Sequence, residues 1–224
     1  MQELREQLVE LISAPALNLG VALGDPELDA LATYADELQT WAPRLNLVSD
    51  ASTAVIARRH ILDSLAGADA IQAKLGDRPC LLDLGSGAGL PGVPLGIVLR
   101  AEPMFLVEPR QRRAHFLRAV ARRLPDRSFS VLCTRADALP REQPQLAQRL
   151  DAVVSRATFA DPETFLRYAT PLVKPGGLAI RWCRSPEAHE RTGPDIPFAP
   201  VKPEAYELPG QTGKLHLEIH ERLA

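Results

Sequence analysis

The sequence predicts a doubly wound α/β fold: a mostly parallel sheet with helices on both faces, preceded by a short helical N-terminal extension. Three observations predict it. From Cys80 onward, short apolar runs alternate with segments of helical periodicity, and such β and α units pack as a parallel sheet covered on both sides. Before about residue 70 the apolar spacing is helical and no run reads as a strand. A glycine-rich turn, Asp83-Leu84-Gly85-Ser86-Gly87-Ala88-Gly89, follows the first apolar run directly, where open α/β sheets bind their ligands. The expected division is a helical extension over residues 1–70 and an α/β domain over 71–224, folding as one compact unit.

The first 20 residues contain LREQLVELI, a short amphipathic helical pattern. Asp25-Pro26-Glu27 then reads as a helix start, with Asp25 as N-cap, Pro26 at the first helical position and Glu27 in the first turn. Leu28, Leu31, Ala35, Leu38 and Trp41 follow at helical spacing, with Pro43 just beyond, and a third helical stretch runs over residues 52–70. Strands are expected at 80–84, 103–107, 128–133, 151–155 and 177–183, and helices at 92–100, 110–124 and 162–172. Lys174-Pro175-Gly176-Gly177 is turn chemistry separating the last of these helices from its strand. Residues 205–208 and 215–221 read as a final strand pair joined through Pro209-Gly210-Gln211-Thr212-Gly213. Residues 185–203 are rich in proline and polar side chains and read as a long surface connection, with one helical turn after Ser185-Pro186-Glu187.

Composition narrows the function classes. Apolar residues make up 46% and charged residues 24% of the 224, ordinary values for a single globular unit with a small appendage. No stretch approaches the roughly 20 apolar residues that cross a bilayer, and MQELREQLVELI carries acids unlike a secretory signal, so a soluble cytoplasmic protein is expected. Cys80, Cys133 and Cys183 lack the paired spacing of a metal or redox site and read as buried reduced thiols at strand ends; no metal is expected. Net charge is only -2, against a globally basic nucleic-acid binder. Arginine outnumbers lysine 22 to 4, however, and seven arginines fall between Arg110 and Arg127, where Asp126 is the one acid.

The spacing of the glycine turn selects a ligand. A dinucleotide fingerprint is G-x-G-x-x-G; here the third glycine comes one position early, giving G-x-G-x-G, and Leu90 stands where the dinucleotide glycine would be. Asp83 before the first glycine would repel a pyrophosphate but suits S-adenosylmethionine, which has no phosphate and carries a cationic amine and a sulfonium. Glu108 ends the second strand about 20 residues on, where an acid accepts from ribose hydroxyls. Arg135-Ala136-Asp137 follows the third strand, where Asp137 and the backbone could read an adenine edge. The expected cofactor is therefore S-adenosylmethionine, leaving as S-adenosylhomocysteine, held by Asp83, Gly85, Gly87, Gly89, Glu108 and Asp137.

The fourth strand ends in Ser155-Arg156-Ala157, without the Asn/Asp-Pro-Pro-aromatic motif that grips exocyclic amines, and no Pro-Cys context offers a nucleophile for pyrimidine carbon 5. An acceptor already nucleophilic at neutral pH fits, such as a ring nitrogen with a free lone pair.

Asn46-Leu47, Arg59-His60-Ile61-Leu62-Asp63-Ser64, the glycine turn continuing through Leu90-Pro91-Gly92-Val93-Pro94-Leu95, and Ser155-Arg156-Ala157 occur in that order. Together they resemble the small-subunit ribosomal RNA guanine-N7 methyltransferase G family, also called glucose-inhibited division protein B, from about Leu28 to the C-terminus. The resemblance implies a Rossmann-like class I S-adenosylmethionine-dependent methyltransferase with a seven-stranded sheet. It implies a 16S ribosomal RNA or small-subunit substrate, and cofactor contacts at Gly85, Leu90, Ala136, Asp137 and Arg156, with Glu108 on the ribose. Two departures stand out: Val48 where the family usually has threonine or serine, and Arg181-Trp182 where it often has Lys-Gly.

On helix 110–124, Leu117, Val120, Ala121 and Leu124 form one stripe and Arg112, His115, Arg118 and Arg122 another, either a solvated face or a phosphate-binding one. Arg58, Arg59, Arg112, Arg118, Arg122 and Arg181 are the candidate RNA contacts, and Arg156 the candidate catalytic residue facing cofactor and substrate. Arg58, Arg59 and His60 could frame the cofactor pocket or meet RNA, with a capping role equally open to His60, and Asp63 could pair with one of the three. A monomer is expected. The alternatives are a methyltransferase for a small molecule or protein, a nicotinamide-dependent oxidoreductase, and a ribosome-binding assembly factor without activity.

Overall fold

The computed structural model describes residues 2–159, 161–185, 195–201 and 203–224; the helical turn expected after Ser185 lies outside the described residues. The chain begins with helices α1 (Gln2–Asn18) and α2 (Asp25–Leu45). Pro26 occupies the first turn of α2, but the capping position is Gly24 rather than Asp25, and no side chain caps the helix. Pro43 lies within the last turn instead of beyond it, and Asn46 ends the helix in the left-handed region (φ 48°), its N–H donating to Ala42 O. Leu28, Leu31, Ala35 and Leu38 are buried on one face, as their spacing predicts.

The third helical stretch is broken. It runs through α3 (Thr53–Val55), a π-helical turn (Ile56–Ile61) and α4 (Leu62–Leu65), then restarts after Gly67 as α5 (Ala68–Leu75). The π turn inserts one extra residue into the ladder and rotates Arg58, Arg59 and His60 relative to a continuous helix.

The α/β part follows as β1 (Leu81–Leu84), α6 (Gly92–Val98), β2 (Met104–Val107), α7 (Gln111–Arg123), β3 (Phe129–Leu132), α8 (Leu139–Glu142), β4 (Leu150–Arg156), α9 (Pro162–Ala169), β5 (Val173–Cys183), β6 (Phe198–Pro200), β7 (Glu204–Tyr206) and β8 (Leu215–Arg222). The described strands make an eight-stranded sheet of order β3-β2-β1-β4-β5-β8-β6, with β7 also paired to β8. β1 to β5 are parallel, and β8 runs antiparallel to β5, β6 and β7. Strand order therefore reverses between β1 and β4, which opens a crevice at their carboxyl ends.

The expected seventh strand is present but broken. Pro200 pairs with His220 and Glu204 with Leu217, a one-residue shift, so β6 and β7 are two pieces of one broken strand in a seventh position. Residues 198–200, expected to be surface connection, form the outer piece; Pro200, lacking an N–H, is tolerated because the position is an edge. The Pro175-Gly176-Gly177 turn is absorbed into β5 as an irregularity, since Leu150 pairs with Val173 and Ala152 with Leu178.

All four residues of β1 are buried, as a strand covered on both faces requires. Side chains alternate between two cores. Leu81, Ala152, Val154 and Ile180 face a cluster shared with α1, α2, α4 and α7, so the N-terminal helices and the sheet have a common core. Leu82, Leu84, Val153 and Ala179 face a second cluster completed by Phe165 and Leu166 of α9.

Candidate functional site

The crevice is built on the turn after β1. Gly85, Gly87 and Gly89 adopt φ of 80°, 56° and 86°. A Cβ at Gly85 would lie 2.4 Å from the Thr158 side chain, so the close approach of the turn and the segment after β4 also demands glycine there. The N–H groups of Gly85 and Ser86 both donate to Val107 O, which pins the turn to the end of β2. Immediately after β2, the buried Glu108 accepts from Gly87 N at Oε2 (3.0 Å) and from Arg110 N at Oε1 (2.8 Å). On the other side the buried Tyr34 hydroxyl of α2 donates to Ala88 O at 2.8 Å, a tether that no local pattern announces.

Asp83 is fully buried beneath the turn. Its Oδ2 accepts from Gly92 N (3.1 Å) at the start of α6, and its Oδ1 has no partner among the described residues. Burial pushes its carboxyl up to about 7, opposed by the Gly92 and Ser86 hydrogen bonds and by Arg156. The acid read from the sequence as facing the cofactor thus acts from below the floor of the crevice, as a fixed group under the glycine turn.

The crevice holds a cleft of about 710 Å³ bounded by the turn from Gly85 to Ala88, Leu90, Glu108, Arg110, Arg113, His60 and Arg156, with Leu47 and Val48 over its rim. An adjoining pocket of about 200 Å³ shares Gly85, Pro109, Arg135 and Thr158 with it and adds Ala136 and Asp137. The two together suit a ligand of cofactor size. Asp137 is exposed and paired with Arg135 Nε at 3.1 Å. Of the residues expected to hold cofactor, Asp83 and Gly89 line neither space; Gly89 instead packs against Val93 and Leu117. Glu108 occupies the Gly87 amide, so this turn does not present all its N–H groups to a phosphate, and the Glu108 carboxylate is an acceptor for ligand hydroxyls.

His60 Nε2 is buried on the cleft wall without a partner among the described residues, and burial, then Arg156, holds its imidazole down at about 4, hence neutral near pH 7. Of the roles open to it in the sequence, His60 takes the place on the cleft wall.

A second cavity of about 590 Å³ opens beside the cleft and shares Arg156 and Ala157 with it; Arg59, Asp63, Trp182 and Tyr206 also line it. Arg156 ends β4 and forms the partition. Its Nη1 lies 2.5 Å from Asp63 Oδ2, the Tyr206 hydroxyl donates to Asp63 Oδ1 at 2.5 Å, and Trp182 Nε1 donates to Asp63 O at 2.7 Å. Asp63 therefore pairs with Arg156, not with Arg58, Arg59 or His60 beside it in the chain. Ala157 holds a left-handed φ of 55°, a strained conformation at the junction of the two spaces.

The candidate RNA contacts separate. Arg58, Arg59, Arg112, Arg118 and Arg122 are exposed, and Arg59 lines the second cavity. Arg181 is buried, its Nε donating to Glu218 Oε2 at 2.9 Å across the sheet, and it also lines the second cavity. Trp182 takes the space over Gly67, where a Cβ would lie 2.8 Å from the indole. Cys80 and Cys183 are half-buried, but Cys133 is exposed, contrary to expectation. Among the described residues no group of histidine, cysteine and acidic side chains is arranged to hold a metal, and no helix is long and apolar enough to cross a membrane.

Comparison with known proteins bears on this geometry. The family model for rRNA small subunit methyltransferase G matches residues 27–189. A protein of that name from Geobacter sulfurreducens is 36% identical over 170 residues, covering 76% of this chain and 75% of its own. Another, from Geotalea uraniireducens, is 34% identical over 177 residues, covering 79% of this chain and 77% of its own. Among solved structures, the antibiotic-resistance methyltransferase Kmr superposes with a TM-score of 0.52 at 19% identity, covering 70% of this chain and 91% of that one. TrmN from Thermus thermophilus does so with a TM-score of 0.52 at 19% identity, covering 75% and 53%. At that identity the likeness shows the fold, that of class I methyltransferases.

Proposed function

The chain belongs to the rRNA small subunit methyltransferase G family, and from that premise we propose that it moves the methyl group of S-adenosylmethionine to N7 of a guanine in 16S ribosomal RNA. The observation that carries this reading is Arg156, which partitions the glycine-turn cleft from a second cavity large enough for a base.

The cofactor belongs in the cleft. Gly85, Gly87 and Leu90 leave room for it, Glu108 offers its remaining lone pairs to ribose hydroxyls, and Ala136 with Asp137 bounds the adjoining pocket for the adenine. Asp83, beneath the turn, holds the start of α6 through Gly92 N and so fixes the floor on which the cofactor would rest. S-adenosylmethionine, once bound, supplies an electrophilic methyl on a sulfonium; the C–N7 bond forms as the C–S bond breaks, and its electron pair goes to sulfur.

N7 attacks with its own lone pair, so no residue has to remove a proton, and positioning is the main contribution. Arg156 is the catalytic residue in this reading. Guanine presents O6 and N7 as acceptors on one edge, and a guanidinium donating to O6 while leaving N7 free selects guanine over adenine. The Asp63 carboxylate balances the arginine's charge beside a cationic cofactor. Neutral His60 on the cleft wall adds no further positive charge there.

Arg58, Arg59, Arg112, Arg118 and Arg122 are proposed to meet RNA phosphates, and the protein to act as a soluble, cytoplasmic monomer. The test is transfer of labelled methyl from S-adenosylmethionine to small ribosomal subunits lacking their N7 methyl group. Label in RNA supports the reading; label only in protein or small-molecule acceptors would replace it.

A further inference from the structure

The two ends of the α2–α7 contact carry different charge arrangements. At one end Arg123 pairs with Asp36 and Glu37, and Arg100 and Arg127 pair with Glu27. At the other, Arg44, Arg110, Arg112 and Arg113 converge on a groove of about 480 Å³ completed by Leu45, Asn46 and Gln111, and no acidic side chain lines it. Its wall is fixed: Asn46 stands in the left-handed region, and Arg113 Nη2 donates to Asn46 O at 3.3 Å. Four guanidinium groups gathered without an acid repel one another, and an anion in the groove would relieve that repulsion. Guanidinium forks match phosphate oxygens in geometry as well as charge.

We propose that this groove is a phosphate-binding site for the backbone of the RNA substrate. The inference rests on the reading of the chain as a ribosomal RNA methyltransferase. Arg110 and Arg113 line both the groove and the cofactor cleft, so a phosphate seated here lies at the cleft's edge and registers the RNA against the methyl donor. Phosphate contacts of this kind set position without reading sequence.

The test is the salt dependence of binding to small-subunit ribosomal RNA by the wild type and by the Arg44→Gln/Arg112→Gln double variant. Neither side chain lines the cofactor cleft, so S-adenosylmethionine affinity and the thermal midpoint are expected to hold and to report intact folding. RNA affinity should fall on the order of tenfold at low salt, and the slope of log K against log salt should shrink by about 1. Arg44→Lys/Arg112→Lys, which keeps the charge, should recover most of the slope. An unchanged slope in a double variant that folds and binds cofactor would overturn the groove while leaving the functional reading intact. A wild type that neither binds RNA nor methylates it would overturn both.

Discussion

Arg156 Nη1 lies 2.5 Å from Asp63 Oδ2, and the Tyr206 hydroxyl donates to the other carboxylate oxygen, also at 2.5 Å. One aspartate in the N-terminal extension thereby fixes the arginine that separates cofactor cleft from second cavity, with Tyr206 of the broken edge strand as its brace. Arg156→Ala is expected to lower the single-turnover rate of methyl transfer by roughly 10²–10³-fold, the scale of losing one aligned donor at a reacting centre. Cofactor affinity measured by calorimetry should change far less. Near-normal turnover would remove Arg156 from the chemistry.

Asp63→Asn leaves a mostly buried guanidinium without its counter-charge and should cost about 3 kcal/mol of stability. Tyr206→Phe removes one hydrogen bond to a charged group and should cost about 1.5 kcal/mol. Denaturant melts read both. If Asp63 positions Arg156, both variants also lower turnover more than they raise the RNA KM; stability loss with unchanged turnover would make the pair merely structural.

Glu108→Gln keeps the size of the side chain but exchanges one acceptor oxygen for an amide. Either Gly87 N or Arg110 N then loses its partner, and the ribose loses a charged acceptor. The dissociation constant for S-adenosylmethionine should rise at least about tenfold, the loss of one charge-assisted hydrogen bond. An affinity within twofold of wild type would place the ribose elsewhere.

Two groups near Arg156 give opposite pH dependences. Asp83 has its folded-state carboxyl raised to about 7, so the folded state holds the proton more tightly and stability falls as pH rises from about 4 to 7. His60 has its imidazole lowered to about 4, so its contribution is present above pH 6.5 and is lost as pH falls toward 4. The two slopes oppose each other in the wild type. Asp83→Asn should leave the His60 acid loss exposed and gain up to about 4 kcal/mol relative to wild type above pH 7. His60→Gln should show the Asp83 slope alone. Parallel stability–pH curves for all three proteins would contradict both assignments.

β1 was legible because burial on both faces makes it a plain apolar run, Leu81–Leu84. The glycine turn was legible because its backbone and Thr158 leave no room for a side chain at Gly85. Partnerships across the fold were not. Asp63 and Arg156 are 93 residues apart and Asp63 and Tyr206 are 143 apart, so no spacing rule joins them, and the neighbouring arginines were the natural but mistaken partners. The π turn was hidden because its IARRHI sequence is also good helix sequence. Asp83 was recognised as an acid at the right turn, but its direction depended on Gly92, nine residues on, offering it an N–H. The ion pair of Arg181 was not legible because Glu218, its partner, lies on a strand that pairs only in the folded sheet.

The most direct measurement is base-resolved mapping of the labelled methyl on small ribosomal subunits that lack it, with wild type and Arg156→Ala side by side. The expected result is a single N7-methylguanine in 16S ribosomal RNA from the wild type and almost none from the variant. Label at a different atom, at many guanines, or at equal level in both proteins would contradict the placement of guanine N7 against the methyl donor beside Arg156.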